Sequence, residues 1–144
     1  MAIASGSRIT PALLRRLRPA YYAAEASADL SGAVTQALVP GASVTFTTET
    51  AAEWYVDAVF DADVVTAPST ALALGYCEVD GTVQTGQATC GDEVVTDRHT
   101  VTQQWSGVFA AAGSHTIRLR GTLAANQQFR VGNTRLRVTV KEVV

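Results

Sequence analysis

Chemically reactive side chains are scarce in this sequence. Its 144 residues include two histidines, two cysteines, one methionine and a single lysine, Lys141. Neither His99 nor His115 stands near a serine or cysteine in a nucleophile frame such as G-x-S-x-G; in Trp105-Ser106-Gly107 the leading position is Gln104. Glycine loops of the G-x-G-x-x-G or P-loop type are absent, which removes the common routes to nucleotide binding. Cys77, Cys90 and His99 lack the short C-x2-4-C pair that brings two thiolates onto zinc. No apolar run approaches the eighteen or so residues of a membrane span, and no apolar h-region marks a secretory signal, so a soluble chain that is not Sec-exported is expected. No enzyme, cofactor or metal site is expected from these residues.

What is present is the composition of one packed domain, with 47% hydrophobic and 17% charged residues. Charge is segregated along the chain. Residues 1–24 carry +4 and no acid, residues 25–97 carry −12 and no base, and residues 98–144 carry +6, which together give the net −2. Two readings stand side by side: the blocks pair across neighbouring strands of one fold, or they face different ways and guide subunits together.

Pro11 suits a helix first turn with Thr10 as N-cap, and Leu13, Leu14 and Leu17 share a face before Pro19 interrupts. A second, weaker helical run is expected over Ala20 to Leu30. From Ala33 the period changes from 3.6 to 2: Trp54, Val56, Ala58 and Phe60 alternate with Tyr55, Asp57, Val59 and Asp61, and Leu136, Val138 and Val140 with Arg135, Arg137 and Thr139. Turn signals at Pro40-Gly41, Asp80-Gly81, Ala112-Gly113-Ser114 and Gly132-Asn133 separate about eight strand-like runs, at 33–39, 43–50, 53–65, 70–79, 82–89, 94–109, 114–124 and 128–143. The expected fold is all-β, an antiparallel jelly-roll β-sandwich of about eight strands (31–144) preceded by a short helical or extended docking arm (1–30).

The basic arm has the bias of a transit peptide and a weak footprint for nucleic acid, but docking is preferred: Ile9, Leu13, Leu14 and Leu17 bury on another protein while Arg8, Arg15, Arg16 and Arg18 pair with its acidic rim. No nucleic-acid partner is expected. Trp54, Phe60, Trp105 and Phe109 are candidates for the core or for a subunit seam. Cys77 and Cys90 are a candidate disulfide, with two buried thiols as the alternative. Asp57, Asp61 and Asp63 share a strand face that reads first as solvated or subunit-facing and only second as a calcium site. A competing function is a carbohydrate- or receptor-binding module with Tyr55, Tyr76 or Trp105 as an exposed platform; a hydrolase built on paired carboxylates comes third.

The opening Ser5-Gly6-Ser7-Arg8-Ile9-Thr10-Pro11-Ala12-Leu13-Leu14 resembles the G-x-R-[IL]-T-x-x-L-L start of small virion proteins of tailed phages infecting high-GC actinobacteria. Gly113 to Arg120 and Val131 to Val138 resemble the last strands of their β-sandwich domains. The resemblance implies a minor tail, fibre or capsid decoration protein, assembled in the host cytoplasm and resident in the virion. It implies attachment to tail or major capsid protein through the arm and a jelly-roll head displayed outward, often as a homotrimer; in the competing reading the partner is a host-surface glycan.

Overall fold

The computed structural model describes residues 9–66, 69–91, 94–95 and 97–143. In chain order these form α1 (Pro11–Arg16), β1 (Ala20–Glu25), β2 (Leu30–Ser31), β3 (Val34–Thr48), β4 (Ala52–Val64), β5 (Ala73–Val79), β6 (Thr82–Val83), β7 (Ala88–Cys90), β8 (Arg98–Phe109), β9 (Gly113–Leu123), β10 (Gln127–Phe129) and β11 (Arg135–Glu142).

Eight of these strands make two four-stranded antiparallel sheets. The first runs β1-β11-β4-β8 and the second β3-β9-β5-β7, with β2, β6 and β10 as short extensions. The chain passes between sheets at most of its connections, which is the winding of a jelly roll. The expected fold class is therefore the observed one. Inward residues of β4, β9 and β11 alternate with outward ones as their period of two requires.

Aromatic rings fill the space between the sheets. Tyr22 stacks on Phe46 at 4.7 Å between centroids, Phe46 and Trp54 both meet Phe109, and Phe60 lies between Trp105 at 6.5 Å and Phe129 at 5.2 Å. Trp54, Phe60, Trp105 and Phe109 are all buried within the single chain. Of the two roles expected for them, core is the one they fill here.

Three expectations are corrected. Residues 20–30 are not helical: β1 pairs along its length with β11, from Ala20 opposite Val140 to Glu25 opposite Arg135. An alanine-rich stretch has little to hold a helix in water, and a register that puts Tyr22 on Phe46 wins. The following residues are tied down too, through Ala26 N–H to Thr134 O (2.8 Å) and Ser27 N–H to Pro40 O (2.9 Å). The sandwich thus begins at Ala20 and not at residue 31, and the arm among the described residues is 9–19. Second, Pro40-Gly41 is no hairpin turn but a bulge inside the continuous β3, where the register with β9 slips between Leu38 and Ser43 and Gly41 takes φ +78°. Third, the expected strand over 82–89 is two short pieces, β6 and β7. Asp80-Gly81 does form the expected tight turn, with both residues at positive φ and Val79 opposite Thr82.

Candidate functional site

The arm is built as a capped helix of six residues, under two turns. Thr10 Oγ1 accepts from the Leu13 N–H at 3.2 Å, Pro11 stands where no N–H is needed, and Arg15 and Arg16 lie in the last turn, favourable to the helix dipole. None of its residues is buried. Ile9, Leu14 and Leu17 are about half exposed, while Leu13 and Arg16 are partly covered. Arg16 is tethered to Glu49 at 3.7 Å, which sets the helix against the end of the sandwich where β3 leads into β4; Arg18 is exposed. Arg8 lies outside the described residues.

The acidic and basic blocks pair inside the fold. Glu78, on the outer side of β5 with a 2% exposed side chain, receives Arg118 Nε at 2.5 Å on one oxygen and Arg120 Nε on the other. Burial alone would push its carboxyl up, but the two guanidinium hydrogen bonds and charges outweigh it and hold the pKa below the usual value. Asp61 is likewise fully buried, against the expectation of a solvated face, because Arg98 grips both its oxygens and Thr100 adds a contact at 3.4 Å. Again burial raises and Arg98 lowers, with a net lowering. Asp63 is held by Arg130 at 2.8 Å, Asp57 accepts from Gln104, and Asp80 holds His115 Nδ1 at 2.7 Å. Pairing across strands is thus the reading the structure bears out. The three aspartates of the candidate calcium face each have a protein donor, and among the described residues no group of three or more His, Cys, Asp or Glu is placed to hold a metal ion.

Cys77 and Cys90 are both buried and not bridged to each other. Cys90 pairs with Ala73, four residues before Cys77 on β5. That register separates them by roughly 13 Å at the rise of a strand, well beyond disulfide reach. The Cys77 thiol is pushed up to about 12, by burial first and then by Glu78.

Of the three platform candidates, Trp105 is buried, with its indole N–H donating to Gly86 O at 3.2 Å, and Tyr76 is half-buried on the second sheet. Only Tyr55 is well exposed, at 47%, on the outer face of the first sheet, and Tyr21 on the same face is more so, at 74%. The expected helix over 20–30 hid Tyr21; the Tyr21-Tyr22 doublet, one ring for each side of a strand, was the signal available. Tyr22 anchored on Phe46 obliges Tyr21 to point outward.

Cross-strand register places the face in rows. Tyr21, Thr139, Tyr55 and Ser106 form one row across β1, β11, β4 and β8; Ala23, Arg137, Asp57 and Gln104 form the next. The Tyr55 hydroxyl donates to Glu53 Oε2 at 3.2 Å, and that bond raises the phenol's pKa. Two shallow depressions meet at Asp57, one of about 440 Å³ beside Tyr21, Arg137 and Thr139, the other of about 300 Å³ beside Tyr55, Gln104 and Ser106.

No family model and no curated protein matches the chain. Among solved structures, it is similar to one of the infectious bursal disease virus Gt strain, with TM-score 0.45 and 14% identity over 85% of this chain and 33% of that one. It is also similar to dimeric latent PorU from Porphyromonas gingivalis (TM-score 0.49, 8% identity, 86% of this chain, 13% of that one). A third is a family 35 carbohydrate binding module from an environmental isolate (0.39, 15%, 85% and 98%). The chain spans a third or less of the length of the first two.

Proposed function

We propose that this chain is a non-catalytic structural subunit of a tailed-phage particle, fixed to tail or capsid through its N-terminal arm and presenting the jelly roll outward. The observation that carries the reading is the arm itself. Ile9, Leu14 and Leu17 of the arm are half exposed, Arg15 and Arg18 are exposed beside them, and only Leu13 and Arg16 are partly covered, so the apolar side formed by the first three is available to a partner with an acidic rim. The resemblance of the Ser5 to Leu14 segment to phage virion proteins supports the same assignment, and repetition of a weak contact over a lattice supplies avidity.

The test removes residues 1–19, leaving β1 in place. The truncated chain is expected to keep its thermal midpoint within a few degrees and to be missing from purified particles, with the double substitution L14D/L17D behaving alike. Incorporation of either variant at the level of the full chain would overturn the docking role. The reading includes a trimeric head, checked by light scattering on the full chain at low and high salt. A monomer under both conditions would remove the trimer and leave a subunit that assembles only on its lattice.

A further inference from the structure

We propose that the outer face of the first sheet is a binding site for a neutral, extended oligosaccharide, lying across β1, β11, β4 and β8 with Tyr21 and Tyr55 as stacking platforms. The site is separate from the arm, and the proposal goes beyond the structural role.

Spacing is the first consideration. Tyr21 and Tyr55 occupy one register row with Thr139 between them, so their attachment points lie two strands, or about 9.5 Å, apart. A pyranose offers an apolar C–H face to an aromatic ring and hydroxyls around its edge, and two rings at this interval suit two sugar units of one chain. Polar groups stand where the hydroxyls would fall. Ser106 and Thr139 lie in the same row, and the next row supplies Arg137, Asp57 and Gln104, with Gln104 already donating to Asp57.

Charge selects the ligand class. Each cation on β11 faces an acid on a neighbouring strand: Arg135 opposite Glu25, Arg137 opposite Asp57, and Lys141 opposite Glu53. The face presents hydrogen-bonding capacity without a net field, which disfavours phosphate, nucleic acid or an acidic polysaccharide and leaves a neutral sugar. The Tyr55 ring is also held in advance by its bond to Glu53, which limits its ordering cost on binding, and the stacking of Tyr22 on Phe46 fixes the strand from which Tyr21 projects. Among the described residues the second sheet has no equivalent: Tyr76 is half-buried, and the neighbouring Arg118 and Arg120 are committed to Glu78.

The experiment is an amide-resolved NMR titration of the isolated full chain with cellohexaose, laminarihexaose and mannohexaose, and with an oligogalacturonate as the charged comparator. Saturable shifts confined to Tyr21, Ala23, Tyr55, Asp57, Ser106, Thr139 and their neighbours are expected with at least one neutral hexasaccharide. Y21A and Y55A should each weaken it about tenfold, as loss of one aromatic anchor does. Y21F and Y55F should bind within a few-fold of the unsubstituted protein, and all four should keep its thermal midpoint because both rings are outside the core. The proposal is overturned by an absence of shifts with all three neutral sugars, by shifts elsewhere on the molecule, by preference for the galacturonate, or by full affinity in both alanine variants. Because no particle is involved, either result is independent of whether the arm docks.

Discussion

Replacing Glu78 by glutamine tests the best-defined polar cluster in the molecule. The carboxylate supplies one oxygen to Arg118 and the other to Arg120, and its side chain is only 2% exposed. Glutamine keeps one acceptor and turns an N–H₂ group toward the second guanidinium, so one charge-assisted bond is lost and two neighbouring cations lose their counter-charge. A hydrogen bond to a charged group is worth about 1.5–3 kcal/mol. The two guanidinium groups are partly solvated, which moderates their repulsion, and a net loss of about 2 kcal/mol is expected for E78Q. For a chain of this size that lowers the thermal midpoint by about 6–8 °C. Urea denaturation followed by the fluorescence of the buried Trp54 and Trp105 reads the same quantity.

The pH dependence adds a second, independent readout. Glu78 has its carboxyl pKa lowered in the folded state, so on acidification the unfolded chain takes up the proton first. The stabilisation is complete above the ordinary glutamate value of about 4.3 and is lost as pH falls through the lower folded value. Asp61 acts in the same direction through Arg98, so the acid decline should be shallower in E78Q, shallower in D61N, and shallowest in the double variant. An E78Q protein as stable as the unsubstituted chain at pH 7, with an unchanged acid decline, would refute this account of the cluster.

Gly75 stands against Phe60 so closely that a Cβ there would lie 2.5 Å from the ring, so G75A should cost about 2 kcal/mol by overpacking. The combination G75A/F60L should be less damaging than the sum of its parts, because leucine vacates the colliding edge; strict additivity would show the collision to be relieved elsewhere. Cys77, buried and with its thiol pushed up to about 12, should resist a thiol reagent at pH 8 in the native state and react at once in denaturant, and oxidised glutathione should not join it to Cys90. Rapid native labelling of Cys77 would contradict its placement.

The long strands were legible because each carries its own alternation: Trp54 to Phe60 and Leu136 to Val140 declare which side is inward with no knowledge of their partners. Residues 20–30 were not legible, since alanines fit either period and the deciding contact, Tyr22 on Phe46, joins positions distant in sequence. Asp61 misled for a related reason. Its position in the alternation marks an outward side chain, which it is, but the arginine that covers it comes from β8, and local pattern is silent about long side chains arriving from another strand. The arm was read correctly in its cap, Thr10 with Pro11, because capping chemistry is local. The tyrosine face was half visible: Tyr55 stood out by its strand position, whereas Tyr21 needed the register of β1 before the two could be seen as one row.

That register also decides how the molecule carries load. The arm leaves the sandwich at Ala20, and β1 joins the sheet through six residue pairs with the antiparallel β11. A pull on the arm, resisted by something held on the sheet face, runs along β1 and at right angles to its hydrogen bonds with β11. The strands are then sheared, with the six pairs resisting together, in contrast to a hairpin peeled open one bond at a time. Under a load applied through the arm, this is the geometry in which a short edge strand is hardest to strip away.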